Sequence, residues 1–263
     1  MANTKVISFA NNKGGSGKST TCSNVGYCLS TLGKRVLLID GDMQMNLTLS
    51  FFDEERSLAL AKSGENIYTA VTEGKDISGF ILSTGYPGLD IVPSSTLMSG
   101  IEFELFTKWQ REFILKKALV AVRESGSYDY ILIDAPPTLG CWVMNIMCAS
   151  DYLVIPVEAS PWGLFGLANM FEFYAQVKTI SPNLTLMGIA ITKASERKNY
   201  FKQTLDTLSE WEGVNLFKNY IRVDSAIEWA QDNSKPVMVY KKNSRSAGEY
   251  MELAKEIAEY ADR

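Results

Sequence analysis

The stretch FANNKGGSGKSTTCSN, Phe9 to Asn24, is where the chain declares its architecture. The apolar run VISFA leads into the turn NNKGGSG and then into KSTT, which gives the order strand, glycine-rich turn, helix start. In that order the glycines let backbone N–H groups point inward at a polyphosphate without Cβ clashes, and the helix N-terminus adds its partial positive charge. Lys18 is then placed to reach the β- and γ-phosphates, and Ser19 to offer its hydroxyl to Mg²⁺. One feature departs from the usual pattern G-x-x-x-x-G-K-S/T. A glycine is expected five residues before Gly17, yet Asn12 stands there, and a second lysine, Lys13, follows it.

Outward from this loop, near-continuous Val/Ile/Leu runs alternate with helical patterns. RVLLID, YDYILIDAP, DYLVIPV and LTLMGIAIT are bounded by Gly, Asp and Pro, which is how strands covered on both faces read. The expected fold is α/β: a doubly wound, mostly parallel β-sheet with helices on both faces. No linker, repeat or low-complexity stretch divides residues 1–263, so one domain is expected. Phe51 to Met98 is the least regular part, with SGENIYTAVTEGKD reading as a short helix between loops and FDEERSLALAKSGEN as a charged surface or a partner-binding insertion.

Composition narrows the chemistry. An apolar fraction of 46% in 263 residues is ample for a buried core, and no apolar run approaches the roughly 20 residues that span a bilayer. The N-terminal MANTKVISFANN reads as neither a signal nor a transit peptide, and a cytoplasmic location is the expectation. The chain has no histidine, and its four cysteines, Cys22, Cys28, Cys141 and Cys148, never stand in C-x-x-C spacing. That removes the usual zinc sets and Ser-His or Cys-His catalysis. Carboxylates, lysines, backbone amides and a hard metal are left, which points to phosphate chemistry. A net charge of −4 argues against a surface uniformly coated in positive charge.

Two further motifs fit. RVLLIDGDMQMN, Arg35 to Asn46, ends a strand in Asp40 and Asp42, one residue apart and on one face at the carboxyl end, where ligands of α/β sheets bind. YDYILIDAPPTLG ends another in Asp134, a carboxylate placed to act on Mg²⁺ directly or through a coordinated water.

KGGSGKST matches the deviant Walker A loop, K-G-G-x-G-K-S/T-S/T, and on that match the chain resembles the ParA/MinD superfamily of P-loop ATPases. The resemblance implies a nucleotide cradle of Lys13, Gly14, Gly15, Ser16, Gly17, Lys18, Ser19 and Thr20 for ATP or ADP. It makes Lys13 the signature lysine, which reaches the partner's phosphates in an ATP-bound homodimer, and so accounts for the lost glycine. Asp40, Asp42, Gln44 and Asn46 resemble the switch segment D-x-D-P-Q-x-N, with Met43 in place of proline. Asp42 is thereby implied to orient the attacking water, and Ser19, Asp42 and Asp134 to form the Mg²⁺ side of the site. Lys13, Lys18 and Asp42 are the implied catalytic set. KPVMVYKKNSRSAGEYMELAKEIAEYA is similar to the family's ending, with Ser234 and Lys241 departing from it, so the likeness runs from about Lys5 to Ala261. Ile191 to Lys193 and Tyr220 to Val223 are placed at the purine by analogy.

With the Walker motif starting at residue 13, the short Soj-like kind is the expected member. It would bind nonspecific DNA as an ATP dimer, sit on the nucleoid in that state, and be reset by a ParB-like partner. Candidate DNA contacts are Lys218, Arg222, Lys235, Lys241, Lys242 and Arg245, joined by Lys193, Arg197, Lys198 and Lys202. Positioning of a protein cargo is the alternative. A MinD-like membrane role conflicts with Glu249, Glu252, Glu256 and Glu259 on the polar face of the last helix, which anionic lipid would repel. An iron-protein role lacks the cysteines for a shared cluster, and a tyrosine-kinase role lacks a tyrosine-clustered tail.

Overall fold

The computed structural model describes residues 4–211 and 213–263, the side chains of residues 161, 162 and 165 excepted. Its centre is a seven-stranded sheet in the order β3-β4-β2-β5-β1-β6-β7. The strands are β1 (Lys5–Phe9), β2 (Val36–Asp40), β3 (Leu82–Tyr86), β4 (Leu89–Val92), β5 (Tyr130–Asp134), β6 (Tyr152–Glu158) and β7 (Thr185–Thr192). All neighbours pair in parallel except β3 with β4. The sheet is therefore mostly parallel and doubly wound, as a P-loop NTPase requires.

Pleating divides each central strand between two cores. Leu37, Ile39, Ile131 and Ile133 face one, while Val36, Leu38, Tyr130 and Leu132 face the other. The first core is closed by the helices Cys141–Ala149 and Pro161–Ile180. The second is closed by Lys18–Thr31 and Arg245–Ala261. The last helix buries Ala247, Tyr250, Leu253, Ala254, Ile257 and Ala261, so its apolar face is spent in the core. No helix among the described residues is long and apolar enough to cross a membrane.

Register places the chemistry. Phe9 pairs with Asp134, and Asp40 pairs with Asp134 across the other edge of β5. The ends of β1, β5 and β2 thus lie level, and the chain runs from β1 by a helix past β5 to β2, while β6 lies on the far side of β1. This is the topological switch point at which open α/β sheets bind ligands.

The region from Phe51 to Met98 is more regular than its sequence suggests. Asp53 caps a helix, Glu54–Ser63, by accepting from the Arg56 N–H, and Asn66 caps Ile67–Thr72 in the same way. The antiparallel pair β3–β4 follows and forms the sheet edge.

Candidate functional site

The phosphate loop is held open by its own geometry. Gly15 and Gly17 have φ of 73° and 85°, values that L-residues with a Cβ rarely adopt. The helix Lys18–Thr31 has no side-chain cap at Gly17. The N–H groups of Gly14 through Thr20 meet no acceptor from the described residues. Unpaired N–H groups converging at a helix N-terminus form an anion site. The loop is braced from outside by Asn11, whose Nδ2 donates to the Pro156 carbonyl at 2.7 Å and whose Oδ1 accepts from the Lys13 N–H at 3.0 Å. Thr192 Oγ1 at the end of β7 donates to the Ser16 carbonyl at 2.8 Å. Asn12, in place of the first glycine, lies against Gly166, where a Cβ would come within 3.0 Å of Asn12 Oδ1.

Three carboxylates sit at the strand ends behind the loop. Asp40 accepts from Thr48 N and Oγ1 at 2.8 and 2.6 Å and from Asp42 N at 3.1 Å. Burial nonetheless raises its carboxyl to about 6, against those hydrogen bonds. Burial also raises Asp42, opposed by the Gln44 N–H and by Lys18. Asp134 is fully buried, and neither of its oxygens has a hydrogen-bond partner among the described residues. Burial and then Asp40 push it well above the carboxylate range, with Ser19 and Lys18 nearby acting the other way.

An orphaned buried carboxylate beside a serine hydroxyl and a phosphate cradle fits Mg²⁺, which takes one or two carboxylates and completes its shell with phosphate oxygens and water. No three acidic or thiol side chains converge into a protein-only metal cage among the described residues. The donors that fit the ion are Ser19 and Asp134, with Asp42 nearby.

That arrangement predicts a trade of stability for function. In the metal-free chain the raised Asp134 carboxyl holds its proton more tightly folded than unfolded. Its favourable contribution is complete below the ordinary carboxylate pKa and is lost as pH rises through the raised value. Asp134→Asn removes the ionisable group, so the nucleotide-free variant's melting temperature is expected to fall less than the wild type's as pH rises through the raised value, by roughly 2–4 °C for each kcal/mol that ionising the buried carboxyl costs, while the variant loses the further stabilisation that Mg²⁺ adds to ATP. Thermal melts across a pH series without nucleotide, and with ATP in the presence and absence of Mg²⁺, check both. The same pH dependence in the nucleotide-free variant and the wild type counts against this account of the buried carboxyl.

The lysines divide into different environments. Lys18 is buried, its Nζ donating to the Lys13 carbonyl at 3.2 Å. Burial lowers its pKa, and Asp134 and Asp42 counter that. Lys13 is partly exposed and makes different contacts, its Nζ donating to Glu158 Oε2 at 3.0 Å and to Ser160 Oγ at 3.1 Å. A cavity of about 510 Å³ opens beside the loop, and Lys18, Ser19, Asp42, Thr192, Arg222 and Asp224 are among the residues that line it. Sequence reasoning placed Lys193 there only by analogy. It follows Thr192 with a left-handed φ of 49°, and its Nζ lies 3.9 Å from where a Cβ on Gly15 would be. Gln231 was missed altogether, and its Nε2 donates to Thr20 Oγ1 at 2.8 Å.

The six candidate DNA contacts are not equivalent. Arg222 lines the cavity and is ion-paired with Glu249 and Glu196. Arg245 is paired with Glu249 and donates to the Val223 carbonyl at 2.6 Å. Lys218, Lys235, Lys241 and Lys242 are exposed and make no ion pair among the described residues.

A parallel sheet with a phosphate loop at its switch point and buried carboxylates at the adjoining strand ends is the arrangement of the P-loop nucleoside triphosphatases. Known proteins narrow the class. Residues 4–187 match the AAA domain family. The chain is 35% identical over 255 residues to the sporulation initiation inhibitor protein Soj of Bacillus subtilis, covering 97% of this chain and 98% of that protein. It is 30% identical over 254 residues to the chromosome partitioning protein ParA of Caulobacter vibrioides, covering 96% and 93%. Among solved structures, a plasmid partition protein of Borrelia burgdorferi bound to AMPPNP superposes with a TM-score of 0.79 at 25% identity, covering 98% and 99%. Cobyrinic acid a,c-diamide synthase of Mycobacterium smegmatis, with an ATP analogue and magnesium, gives 0.83 at 25% identity, covering 98% and 95%. The chain belongs to the ParA/MinD superfamily of ATPases and is of the Soj type.

Proposed function

We propose that this ParA-type ATPase partitions DNA. It would bind Mg·ATP, close into a face-to-face homodimer, hold nonspecific DNA in that state, and be reset by hydrolysis under the control of a ParB-like partner. The observation that carries the hydrolytic part is the unpaired N–H cradle of Gly14 to Thr20 above the orphaned carboxylate of Asp134. Lys18 and the cradle hold the β- and γ-phosphates in place. Ser19 and Asp134 would hold Mg²⁺, which would supply charge neutralisation for the phosphates. Asp42 orients a water in line with the γ-phosphorus. As the new P–O bond forms and the bond to the β–γ bridging oxygen breaks, Lys18 and the partner's signature lysine stabilise the charge on the transferring group.

Nonspecific duplex would meet Lys218, Lys235, Lys241 and Lys242, doubled in a dimer. Eight phosphate contacts imply a log–log salt slope near −0.9 per phosphate, so affinity should fall roughly 10³-fold or more between about 50 and 200 mM salt. The test is binding to random-sequence duplex at two salt concentrations, with ATP and with ADP, using Asp42→Ala to hold the triphosphate. Salt-sensitive binding seen only with ATP supports the reading. No binding with either nucleotide moves the cargo from DNA to protein. That second reading is favoured by Phe103, Phe106 and Trp109, which are 85%, 74% and 89% exposed on one short helix and the turn after it. An apolar surface of this kind marks a protein contact.

A further inference from the structure

The loop that carries Asp42 is fixed from an unexpected direction. Trp142, one of the largest fully buried side chains, lies on the helix Cys141–Ala149. Its Nε1 donates to the Gly41 carbonyl at 2.8 Å, and that bond is buried. The Gly41 carbonyl and the Asp42 N–H belong to one planar peptide group. The Asp42 N–H donates to Asp40 Oδ1 at 3.1 Å, so both polar ends of the peptide preceding Asp42 are held. The peptide before it is held as well, through Gly41 N–H to the Asp134 carbonyl at 3.0 Å. The fit leaves no slack, because a Cβ on Gly41 would lie 2.7 Å from the Asp134 carbonyl oxygen and 3.2 Å from Trp142 Nε1.

We infer that Trp142 is a positioning residue for hydrolysis, aiming Asp42 through the Gly41 carbonyl. The inference rests on the reading of Asp42 as the water-orienting group. Trp142 does not line the nucleotide cavity, so its contribution falls on the chemical step and not on binding. Its own helix is fixed by Glu102, whose carboxylate accepts from the N–H groups of Cys141 and Trp142 at 2.9 and 3.1 Å. Asp40 completes the frame by accepting from Thr48, whose Oγ1 in turn accepts from the Ser94 N–H at 3.1 Å.

The test is Trp142→Phe in the full chain, which keeps a ring and deletes the donor. Steady-state ATP hydrolysis and equilibrium binding of a fluorescent ADP and a nonhydrolysable ATP analogue are measured beside the wild type. One buried neutral hydrogen bond corresponds to a fall in kcat of roughly five- to tenfold, with both affinities within about twofold. Should the phenylalanine variant fold poorly, 3-benzothienylalanine at position 142 keeps the bicyclic ring and removes only the N–H. An unchanged kcat against an active wild type overturns the inference alone. Equal losses of both affinities, with kcat unchanged, assign Trp142 a packing role and also overturn it. A wild type that does not hydrolyse ATP overturns the hydrolytic reading and takes this inference with it.

Discussion

Asp42→Ala is expected to bind ATP about as tightly as the wild type and to lose turnover roughly 100-fold or more, the usual scale for removing a positioned acid–base group. Asp42 is 5% exposed yet lines the nucleotide cavity, so it can meet one ordered water without being solvated in bulk. Its Oδ1 accepts from the Gln44 N–H at 3.0 Å, which fixes the carboxylate plane and leaves Oδ2 for that water. The proposed phosphate cradle is built from other residues, Gly14 to Thr20, and for that reason affinity should survive. A variant that binds but cannot cleave should accumulate as an ATP-bound dimer. Sedimentation with ATP and with ADP, beside a phosphate-release assay, checks both halves. Normal turnover with no trapped dimer would remove Asp42 from the mechanism.

How much of this was visible in the sequence follows from how far apart the partners lie. The cradle, Lys18, Ser19 and the strand-end carboxylates are local features: spacing in one loop, or a polar residue closing an apolar run. They could be read directly, and with them the doubly wound sheet. The pair β3–β4 was not legible. Its outer strand, LSTGY, has a glycine as its fourth residue, and only Thr84 is buried, so the alternation that marks a half-buried strand is too short to register. The contacts of Lys13 with Glu158 and of Gln231 with Thr20 span 145 and 211 residues, and no local pattern announces them. Trp142 carries no local signal, because the role inferred for it lies in one N–H and depends on where β2 ends. Lys193 was within reach of sequence reasoning by the rule that found Asp40 and Asp134, since it directly follows the last residue of β7.

Lys13→Ala is the second change with a large expected effect, and it separates two roles that one lysine could have. In the single chain its ammonium is engaged with Glu158 and Ser160. Both partners of that ion pair are partly exposed, at 25% and 31% of their side-chain surface, and such pairs contribute about 0–1 kcal/mol. The interaction is weak enough for a triphosphate presented by a second subunit to displace it. If Lys13 served only to brace Glu158, alanine would cost a few tenths of a kcal/mol and leave turnover intact. If it acts on the partner's transferring phosphoryl group, its loss falls on the chemical step. Arginine fingers supplied in trans contribute about 10³ to 10⁵ in rate, and a lysine, a point charge without the guanidinium fork, should contribute less. The expectation is ATP affinity within about threefold of wild type and turnover reduced roughly 100-fold or more. Mixing separates cis from trans: heterodimers of Lys13→Ala with Asp42→Ala regain one site with both an intact Asp42 and an intact incoming Lys13 only if the lysine crosses between subunits. Recovered hydrolysis in that mixture places Lys13 in the partner's site, and a mixture as inactive as either variant alone keeps the lysine in its own.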